Sequence, residues 1–170
     1  MRDQLALDTV LMVVAGEPWQ KVGARPLTAA VDRLAMTAAA VEGIDGLEVC
    51  DLEVRRPGPT YTVDTMAQLR AAHPGDELFL VLGADAAAGL GTWERAEGLA
   101  AMSQIVVVDR PGTTAEVPER FAVQRVEAPR LDLSSTEMRD RIRDGRSVRF
   151  LVPDPVRSVI AALELYGDRP

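Results

Sequence analysis

Short apolar runs alternate with stretches of helical periodicity along this chain, and this alternation is the strongest restriction on its fold. Five runs with strand character lie at residues 9–15, 47–54, 77–82, 104–109 and 121–126. Apolar spacing and helix-start residues predict helices at residues 26–42, 62–72, 94–101, 136–144 and 154–166. Strands that alternate with helices form a parallel sheet covered on both faces. The continuous apolar run at residues 9–15 predicts a strand buried on both faces of that sheet.

The composition is typical of one globular domain in a reducing compartment. The 170 residues are 47% hydrophobic and 26% charged, with a net charge of −7. The negative charge argues against nucleic acid as the main partner, but it allows a nucleotide in a local positive pocket. Cys50 is the single cysteine of the sequence, so no internal disulfide is expected. Without a signal peptide or an apolar run of about 18 residues, the sequence predicts a cytoplasmic protein with no membrane partner, and it leaves a homo-oligomer open.

Ligands of parallel sheets bind beyond the carboxyl ends of the strands, so the residues that follow each strand are the candidate site residues. The last strand is followed by L-D-L-S-S-T-E-M-R at residues 131–139. Ser134, Ser135 and Thr136 can cap the free N–H groups of a helix start, and those N–H groups also suit a phosphate. Arg139 lies one turn later on the same side and can bind phosphate oxygens with its fork of donors. An ordinary capped helix explains the same residues.

Two earlier strand ends carry similar groups. Lys21 follows the first strand and can meet a phosphate, although a solvated loop lysine is equally compatible. The second strand is followed by a loop that contains Thr60, Tyr61 and Thr62. Both threonines are placed to cap the next helix and to offer hydroxyl and N–H groups to an anion. Here too, a capped helix is the simpler interpretation.

A carboxylate and a tryptophan follow the third strand. Asp85 can accept hydrogen bonds from two ribose hydroxyls, or it can cap the next turn. Trp93 can stack on a flat ring, or it can only pack. His73 is the single histidine of the sequence, and it is expected to end a helix rather than to act in catalysis. The sequence therefore predicts no metal site built from protein ligands.

Four stretches, in order along the chain, carry a resemblance to a known enzyme family. They are G-P-T-Y-T-V-D-T at residues 58–65, L-G-A-D at residues 82–85 with Trp93 behind it, D-R-P-G at residues 109–112 and L-S-S-T-E-M-R at residues 133–139. Together they resemble bacterial nicotinate-nucleotide adenylyltransferase, of the nucleotidyltransferase superfamily. The last stretch is similar to that superfamily's I-S-S-T-x-x-R, with Leu133 in place of isoleucine. The resemblance implies a single Rossmann-like, doubly wound α/β domain over residues 1–170.

The resemblance also implies an activity in NAD biosynthesis. The enzyme would transfer the adenylyl group of ATP to nicotinate mononucleotide, with Mg²⁺ assisting and pyrophosphate leaving. The residues that would bind the mononucleotide are Lys21, Thr60, Tyr61, Thr62, Asp85 and Trp93. The residues that would bind the ATP phosphates are Ser134, Ser135, Thr136 and Arg139. In this arrangement Trp93 stacks on the nicotinate ring, Asp85 binds the ribose, and Arg139 stabilises the transition state.

One part of the family pattern is missing from the sequence. The family opens with a strand and the motif G-G-x-F-D-P-x-H-x-G-H, whose two histidines are its main catalytic groups. By resemblance, about 20 to 25 residues are absent, and with them the central strand of the order 3-2-1-4-5-6. Its neighbours, at residues 10–14 and 78–82, would each keep an unpaired edge. The chain is therefore expected to be a shortened form, from a late start codon or a fragment, with little activity.

Three other functions fit parts of the same pattern. A paralogue that lost the histidines would bind a nucleotide without turnover. An adenylyltransferase for a different acceptor, such as the amide form of the mononucleotide, would keep the same motifs. A dinucleotide-dependent oxidoreductase is disfavoured, because no G-x-G-x-x-G follows any strand.

Supplying the missing motif is expected to raise activity. The measurement compares pyrophosphate release from ATP and nicotinate mononucleotide by the 170-residue chain and by a form extended upstream. Groups that stabilise charge on a reacting phosphate contribute about 100-fold or more each to the rate, so the extended form should be faster by at least that factor. Equal rates would show that the chain lacks nothing that catalysis needs.

Overall fold

The five predicted strands are present in the computed structural model, but they form two parallel sheets rather than one. β1 (Val10–Val13) pairs with β2 (Leu47–Cys50). The second sheet has the order β3 (Phe79–Gly83), β4 (Gln104–Asp109) and β5 (Val123–Glu127). The parallel pairing confirms the α/β class that the alternation of strands and helices predicts. The structure describes residues 1–18, 27–109, 114–129 and 131–167.

Helices of different length connect and follow the strands. In chain order they are α1 (Ala30–Val41), α2 (Leu52–Arg55), α3 (Thr62–Ala72), α4 (Ala84–Ala88), α5 (Leu99–Met102), α6 (Ser135–Arg143) and α7 (Asp154–Ala162), with short 3-10 turns at Asp3–Leu5, Leu90–Thr92 and Ala96–Gly98. Two units contain these elements: unit 1 consists of Met1–Leu7 and Pro59–Arg130, and unit 2 of Asp8–Gly58 and Leu131–Pro170. None of the described helices is long and apolar enough to cross a membrane.

Unit 1 is organised around β4, which pairs along both of its edges. Ile105, Val106 and Val107 are no more than 2% exposed, so side chains cover both faces of this strand. A continuous run of β-branched residues is the sequence signature of such a strand, and its predicted bounds are confirmed. Leu90 and Leu99 are fully buried in the same core. They come from the segment that connects β3 to β4.

The predicted bounds of α3 are also confirmed, because its apolar residues recur at helical spacing. Val63, Met66 and Leu69 are buried on one face of the helix. His73 ends α3, and its backbone N–H donates to the carbonyl of Leu69 at 2.9 Å. The single histidine therefore lies at a helix end, as expected.

Unit 2 packs two helices and the two-stranded sheet together. α1 lies against both α7 and β2. The Thr28 hydroxyl donates to the Tyr166 hydroxyl at 3.1 Å, which joins the chain before α1 to the chain after α7. Arg33 on α1 donates to the carbonyl of Gly16 at 2.8 Å and so fixes the chain that leaves β1.

The expectation that β1 is buried on both faces is wrong. Leu11, Met12 and Val13 are 36%, 43% and 38% exposed, and burial begins at Val14 with 6%. The reason is pairing: among the described residues, β1 pairs with β2 alone and β3 pairs with β4 alone. β1 and β3 thus each have one unpaired edge among the described residues, as the sequence led us to expect. That a further strand belongs beside them stays a prediction.

Other predicted elements also differ in the structure: the helix expected at residues 26–42 begins at Ala30, and the helix expected at residues 154–166 ends at Ala162. The strand expected at residues 47–54 ends at Cys50, and the short helix α2 follows, where Arg55 donates to Asp51 at 2.7 Å across one helical turn. The helix expected at residues 94–101 is divided into the 3-10 turn Ala96–Gly98 and α5. Propensity alone does not place these boundaries.

Removing core volume from unit 1 should destabilise the protein. Leu99→Ala should lower the free energy of unfolding by about 2–5 kcal/mol, because Leu99 is fully buried and the cavity cannot close completely. Val31→Ala is the control, since Val31 on α1 is 62% exposed and its replacement should change stability by less than about 0.5 kcal/mol. Urea unfolding followed by circular dichroism measures both. Losses of similar size would contradict the burial of Leu99.

Candidate active site

Asp85 lies at the carboxyl end of β3, where a ligand of a parallel sheet is expected. It is the second residue of α4, which starts directly after Gly83, and it is exposed. No side chain caps α4, so the structure does not use this carboxylate as a helix cap. The backbone carbonyl of Asp85 accepts the N–H of Gly89 at 3.3 Å, which turns the chain back toward Trp93. The geometry therefore leaves an acceptor facing solvent at the edge of the sheet.

Thr60, Tyr61 and Thr62 lead into α3, but the threonines do not cap it. The N-cap residue is Tyr61, and its side chain makes no capping hydrogen bond. Neither threonine is the N-cap residue, because Thr62 is already the first helical residue and Thr60, only 6% exposed, precedes the cap. The N–H groups of Asp64 and Thr65 donate to the carbonyl of Tyr61 at 3.1 and 3.3 Å. The helix dipole favours an anion near the two N–H groups before them. This start is thus more open to a ligand than the sequence suggests.

Trp93 follows the 3-10 turn Leu90–Thr92 and is half-buried. Its indole Nε1 is buried and has no hydrogen-bond partner among the described residues. A Cβ at Gly89 would lie 4.0 Å from Nε1, so the ring packs close to the turn that leaves α4. Asp85 and Trp93 therefore lie on neighbouring segments of unit 1.

Arg95 connects the Trp93 segment to α3. Its Nη2 donates to Oδ1 of Asp64, in the first turn of α3, at 2.8 Å. The backbone of Arg95 is left-handed, with φ 49° and ψ 38°, which costs a residue other than glycine about 1–2 kcal/mol. Sequence patterns assign no role to either residue, although Asp64 is part of the stretch at residues 58–65, because a left-handed arginine and a pair 31 residues apart leave no local signal.

Asp109 closes the carboxyl end of β4 and is 7% exposed. Its Oδ1 accepts the backbone N–H of Ala115 at 2.9 Å, and its Oδ2 accepts from Nη1 of Arg125 at 2.7 Å. Arg125 also donates to the carbonyl of Ala115 at 2.9 Å. The Ala115 N–H, followed by the Arg125 guanidinium, holds the pKa of Asp109 below its ordinary value despite its burial. These bonds fix the chain after β4 against β5.

The predicted phosphate-binding stretch begins α6 in unit 2. Ser134 is the N-cap, and its Oγ accepts the backbone N–H of Glu137 at 3.1 Å. Ser135 and Thr136 begin the helix and are exposed. Nη2 of Arg139 donates to Oγ1 of Thr136 at 3.1 Å, so the guanidinium folds back to the helix start as predicted. The capped helix is confirmed, and the phosphate site stays a prediction.

The structure groups the predicted site residues by unit. Unit 1 contains Thr60, Tyr61, Thr62, Asp85 and Trp93, and unit 2 contains Ser134, Ser135, Thr136 and Arg139. Lys21 lies outside the described residues, as do Arg110, Pro111 and Gly112 of the D-R-P-G stretch. That both groups serve one cradle stays a prediction.

A groove of about 810 Å³ in unit 2 lies at the other end of α6. Its lining includes Ile142, Arg146 and Arg157. It shares no residue with the stretch at residues 133–139. The groove therefore has no part in the predicted phosphate site.

Comparison with known proteins decides the family. Residues 1–141 match the model of the cytidylyltransferase-like family. A probable nicotinate-nucleotide adenylyltransferase of Exiguobacterium sibiricum is 38% identical over 166 residues, which cover 98% of this chain and 87% of that protein. The corresponding protein of Streptomyces coelicolor is 42% identical over 166 residues, which cover 96% of this chain and 87% of that protein.

The chain belongs to the nicotinate-nucleotide adenylyltransferase family.

Solved structures agree with the fold expected for this adenylyltransferase family. Plasmodium falciparum nicotinic acid mononucleotide adenylyltransferase complexed with NaAD has a TM-score of 0.72 at 18% identity. The match covers 96% of this chain and 87% of that chain. At this identity the likeness concerns the fold alone, and it confirms the predicted Rossmann-like α/β class.

The lowered pKa of Asp109 predicts a contribution to stability that is lost in acid. The carboxylate stabilises the fold above its unfolded pKa of about 3.9 and stops doing so as pH falls through the lower folded pKa. Asp109→Asn should therefore reduce the free energy of unfolding at pH 7 and flatten its decline below about pH 5. Urea unfolding at a series of pH values measures the change.

Asp154→Asn is the matched control for this prediction. Asp154 also pairs with an arginine, Arg157, at 2.7 Å, but its side chain is 78% exposed against 9% for Asp109. An exposed pair contributes little to stability, so this variant should follow the parent protein at every pH. The same response in both variants would show that the burial of Asp109 has no influence.

Proposed function

We propose that this chain transfers the adenylyl group of ATP to nicotinate mononucleotide, giving nicotinate adenine dinucleotide and pyrophosphate. Relatives at 38% and 42% identity over nearly the whole chain support the reaction. The structural observation that supports it most is in unit 1. There, a helix start with no capping bond from its N-cap residue, an exposed carboxylate and a half-buried tryptophan lie on segments that contact one another.

The start of α3 suits the carboxylate of the nicotinate ring. Backbone N–H groups of Thr62 and the residue after it point out of the helix, and the dipole of this 11-residue helix favours negative charge. A carboxylate offers two acceptor oxygens to these N–H groups, whereas the amide of the related nicotinamide form offers one acceptor and turns its NH₂ donors toward the second N–H. The helix start therefore selects the acid form of the mononucleotide.

Trp93 and Asp85 bind the rest of the mononucleotide in this proposal. The pyridinium ring carries a positive charge, and the face of an indole attracts such a charge as well as providing stacking area. The exposed carboxylate of Asp85 accepts from the two ribose hydroxyls. Lys21 meets the phosphate.

The start of α6 binds the ATP phosphates. Ser134 satisfies one N–H of the helix start, and the hydroxyl groups of Ser135 and Thr136 are exposed beside the remaining ones. Arg139 is held at the same place by its bond to Thr136. Its fork of donors matches phosphate oxygens and stabilises the charge that develops on the leaving pyrophosphate.

The reaction needs no covalent intermediate on the protein. A phosphate oxygen of the mononucleotide attacks the α-phosphorus of ATP, and the bond from that phosphorus to the oxygen of the departing pyrophosphate breaks. Catalysis then depends on holding the reactants in line and on stabilising charge. The side chains described above supply positioning, and Arg139 supplies charge.

A divalent cation, proposed to be Mg²⁺, accompanies ATP. Mg²⁺ is usually held by substrate phosphates and by one or two carboxylates rather than by a dedicated protein cage. The ion lowers the charge repulsion between the two phosphate groups.

Binding and turnover together test the proposed function. The chain is titrated with nicotinate mononucleotide and with nicotinamide mononucleotide, and dinucleotide formation with ATP is followed by chromatography. Tighter binding of the acid form, with pyrophosphate release that depends on it, is expected. Binding without turnover, also in an extended form, would indicate a nucleotide-binding paralogue. Preference for the amide form would indicate a different acceptor.

Asp85→Asn should weaken nicotinate mononucleotide binding by about tenfold or more, because a hydrogen bond to a charged acceptor contributes about 1.5–3 kcal/mol. Asp76→Asn is the control, since Asp76 is also in unit 1 and its side chain is 67% exposed. Isothermal titration calorimetry measures both dissociation constants. Unchanged binding in Asp85→Asn would remove this residue from the site.

A further inference from the structure

Arg95 adopts a backbone conformation that favours glycine, although its side chain contributes little to stability. Its φ of 49° is left-handed, a region that non-glycine residues occupy at a cost. The ion pair with Asp64 is largely exposed, with 58% of the Arg95 side chain and 37% of the Asp64 side chain accessible. Exposed pairs of this kind add little to the free energy of unfolding. Glu164 has the same φ of 49°, so the strain alone assigns no function, and the place of the Arg95 side chain in the fold decides.

The ion pair joins the two segments that would enclose the nicotinate ring. Arg95 follows Trp93 by two residues, and Asp64 follows Thr62 by two residues. The same segments approach again nearby, because a Cβ at Gly98 would lie 3.4 Å from Cγ2 of Val63. The pair therefore sets the separation between the tryptophan and the start of α3.

A second arginine holds the other side of the Trp93 segment. Nη2 of Arg120 donates to the carbonyl of Gly91 at 3.1 Å, and its Nε lies 3.5 Å from Glu97. A Cβ at Gly91 would come within 3.0 Å of that Nη2 and 3.2 Å of Pro118, so the segment fits closely against the chain before β5. Trp93 thus lies between two anchored points, Gly91 and Arg95.

The indole itself has no polar anchor in the described residues. Its Nε1 is buried without a hydrogen-bond partner there. The orientation of the ring consequently depends on packing and on the backbone that carries it. Changing an anchor should therefore move the ring without opening the core.

We propose that the pair of Arg95 and Asp64 positions Trp93 against the start of α3 and thereby sets the affinity for the nicotinate ring. Arg95 and Asp64 are positioning residues, since they act through Trp93 and the helix start. The inference rests on the proposed function for its ligand, while the positioning itself is a property of the ligand-free protein.

The test uses Arg95→Gly, which removes the side chain and relieves the backbone strain. Nicotinate mononucleotide binding is followed by Trp93 fluorescence, with Trp19→Phe in every protein so that Trp93 is the single tryptophan. The dissociation constant should rise about tenfold, equivalent to about 1.4 kcal/mol. The urea midpoint should stay unchanged or rise. A merely structural role would lower affinity and stability together.

Glu164→Gly is the matched control. Glu164 has the same φ of 49° as Arg95, but it belongs to unit 2. This variant should leave the dissociation constant unchanged. Arg95→Lys keeps the charge and should restore affinity to within about threefold of the parent. As a single substitution, Asp64→Asn should weaken binding. In the Arg95→Gly background it should cause little further loss of affinity, because the two side chains form one pair.

Two readouts separate failure of this inference from failure of the proposed function. A parent protein that binds no nicotinate mononucleotide would overturn the proposed function. In that case, acrylamide quenching of Trp93 still decides the positioning, because Arg95→Gly should increase quenching and Glu164→Gly should not. Equal quenching in all variants, or an Arg95→Gly dissociation constant within twofold of the parent, would overturn the role of the pair.

Discussion

The hydrogen-bond ladder on both edges of β4 is the interaction on which the rest of unit 1 depends. Buried backbone N–H and carbonyl groups need partners, and a strand buried on both faces finds them only in its neighbours. The parallel register places Gly83 beside Val108 and Asp109 beside Glu127. The carboxyl ends of three strands consequently meet at one edge. The segment that begins with Asp85 starts from this edge because the ladder ends there.

The same register explains why Asp109 is paired. Arg125 lies opposite Val107, and Val107 is two residues before Asp109 on β4. Residues two apart point to the same face of a strand, so the arginine extends along that face to reach the carboxylate. The ion pair and the Ala115 N–H then hold the chain after β4 in place. An electrostatic contact thus follows from strand pairing rather than from proximity in the sequence.

Sequence patterns correctly predicted the elements that local interactions stabilise and the elements that are fully buried. β4 and α3 have the predicted bounds because β-branched runs and helical spacing are strong signals. The start of α6 was predicted to within one residue, since serine at a helix start has a specific capping bond. The exposure of β1 was not predicted, because an apolar run carries no information about which neighbours cover it. The prediction that a threonine is the N-cap of α3 was also wrong, because a shift of one residue moves a side chain away from the cap position.

The candidate site was predictable only in part. Asp85, Trp93 and the stretch from Ser134 to Arg139 were identified because they follow strands and form familiar patterns. The pair of Asp64 and Arg95 was not predicted, since it depends on the path of the chain between the two residues. That path is set by tight turns and by one left-handed residue, which local propensity does not encode.

The exposed apolar side chains of β1 affect how the molecule behaves at high concentration. Leu11, Met12 and Val13 border a strand edge without a partner among the described residues. Such an edge is a template for pairing with the same edge of another molecule, and no lysine or proline interrupts it. This short strand therefore affects colloidal stability, shelf life and crystallisation. A single charged side chain placed on it would be the simplest way to improve these properties.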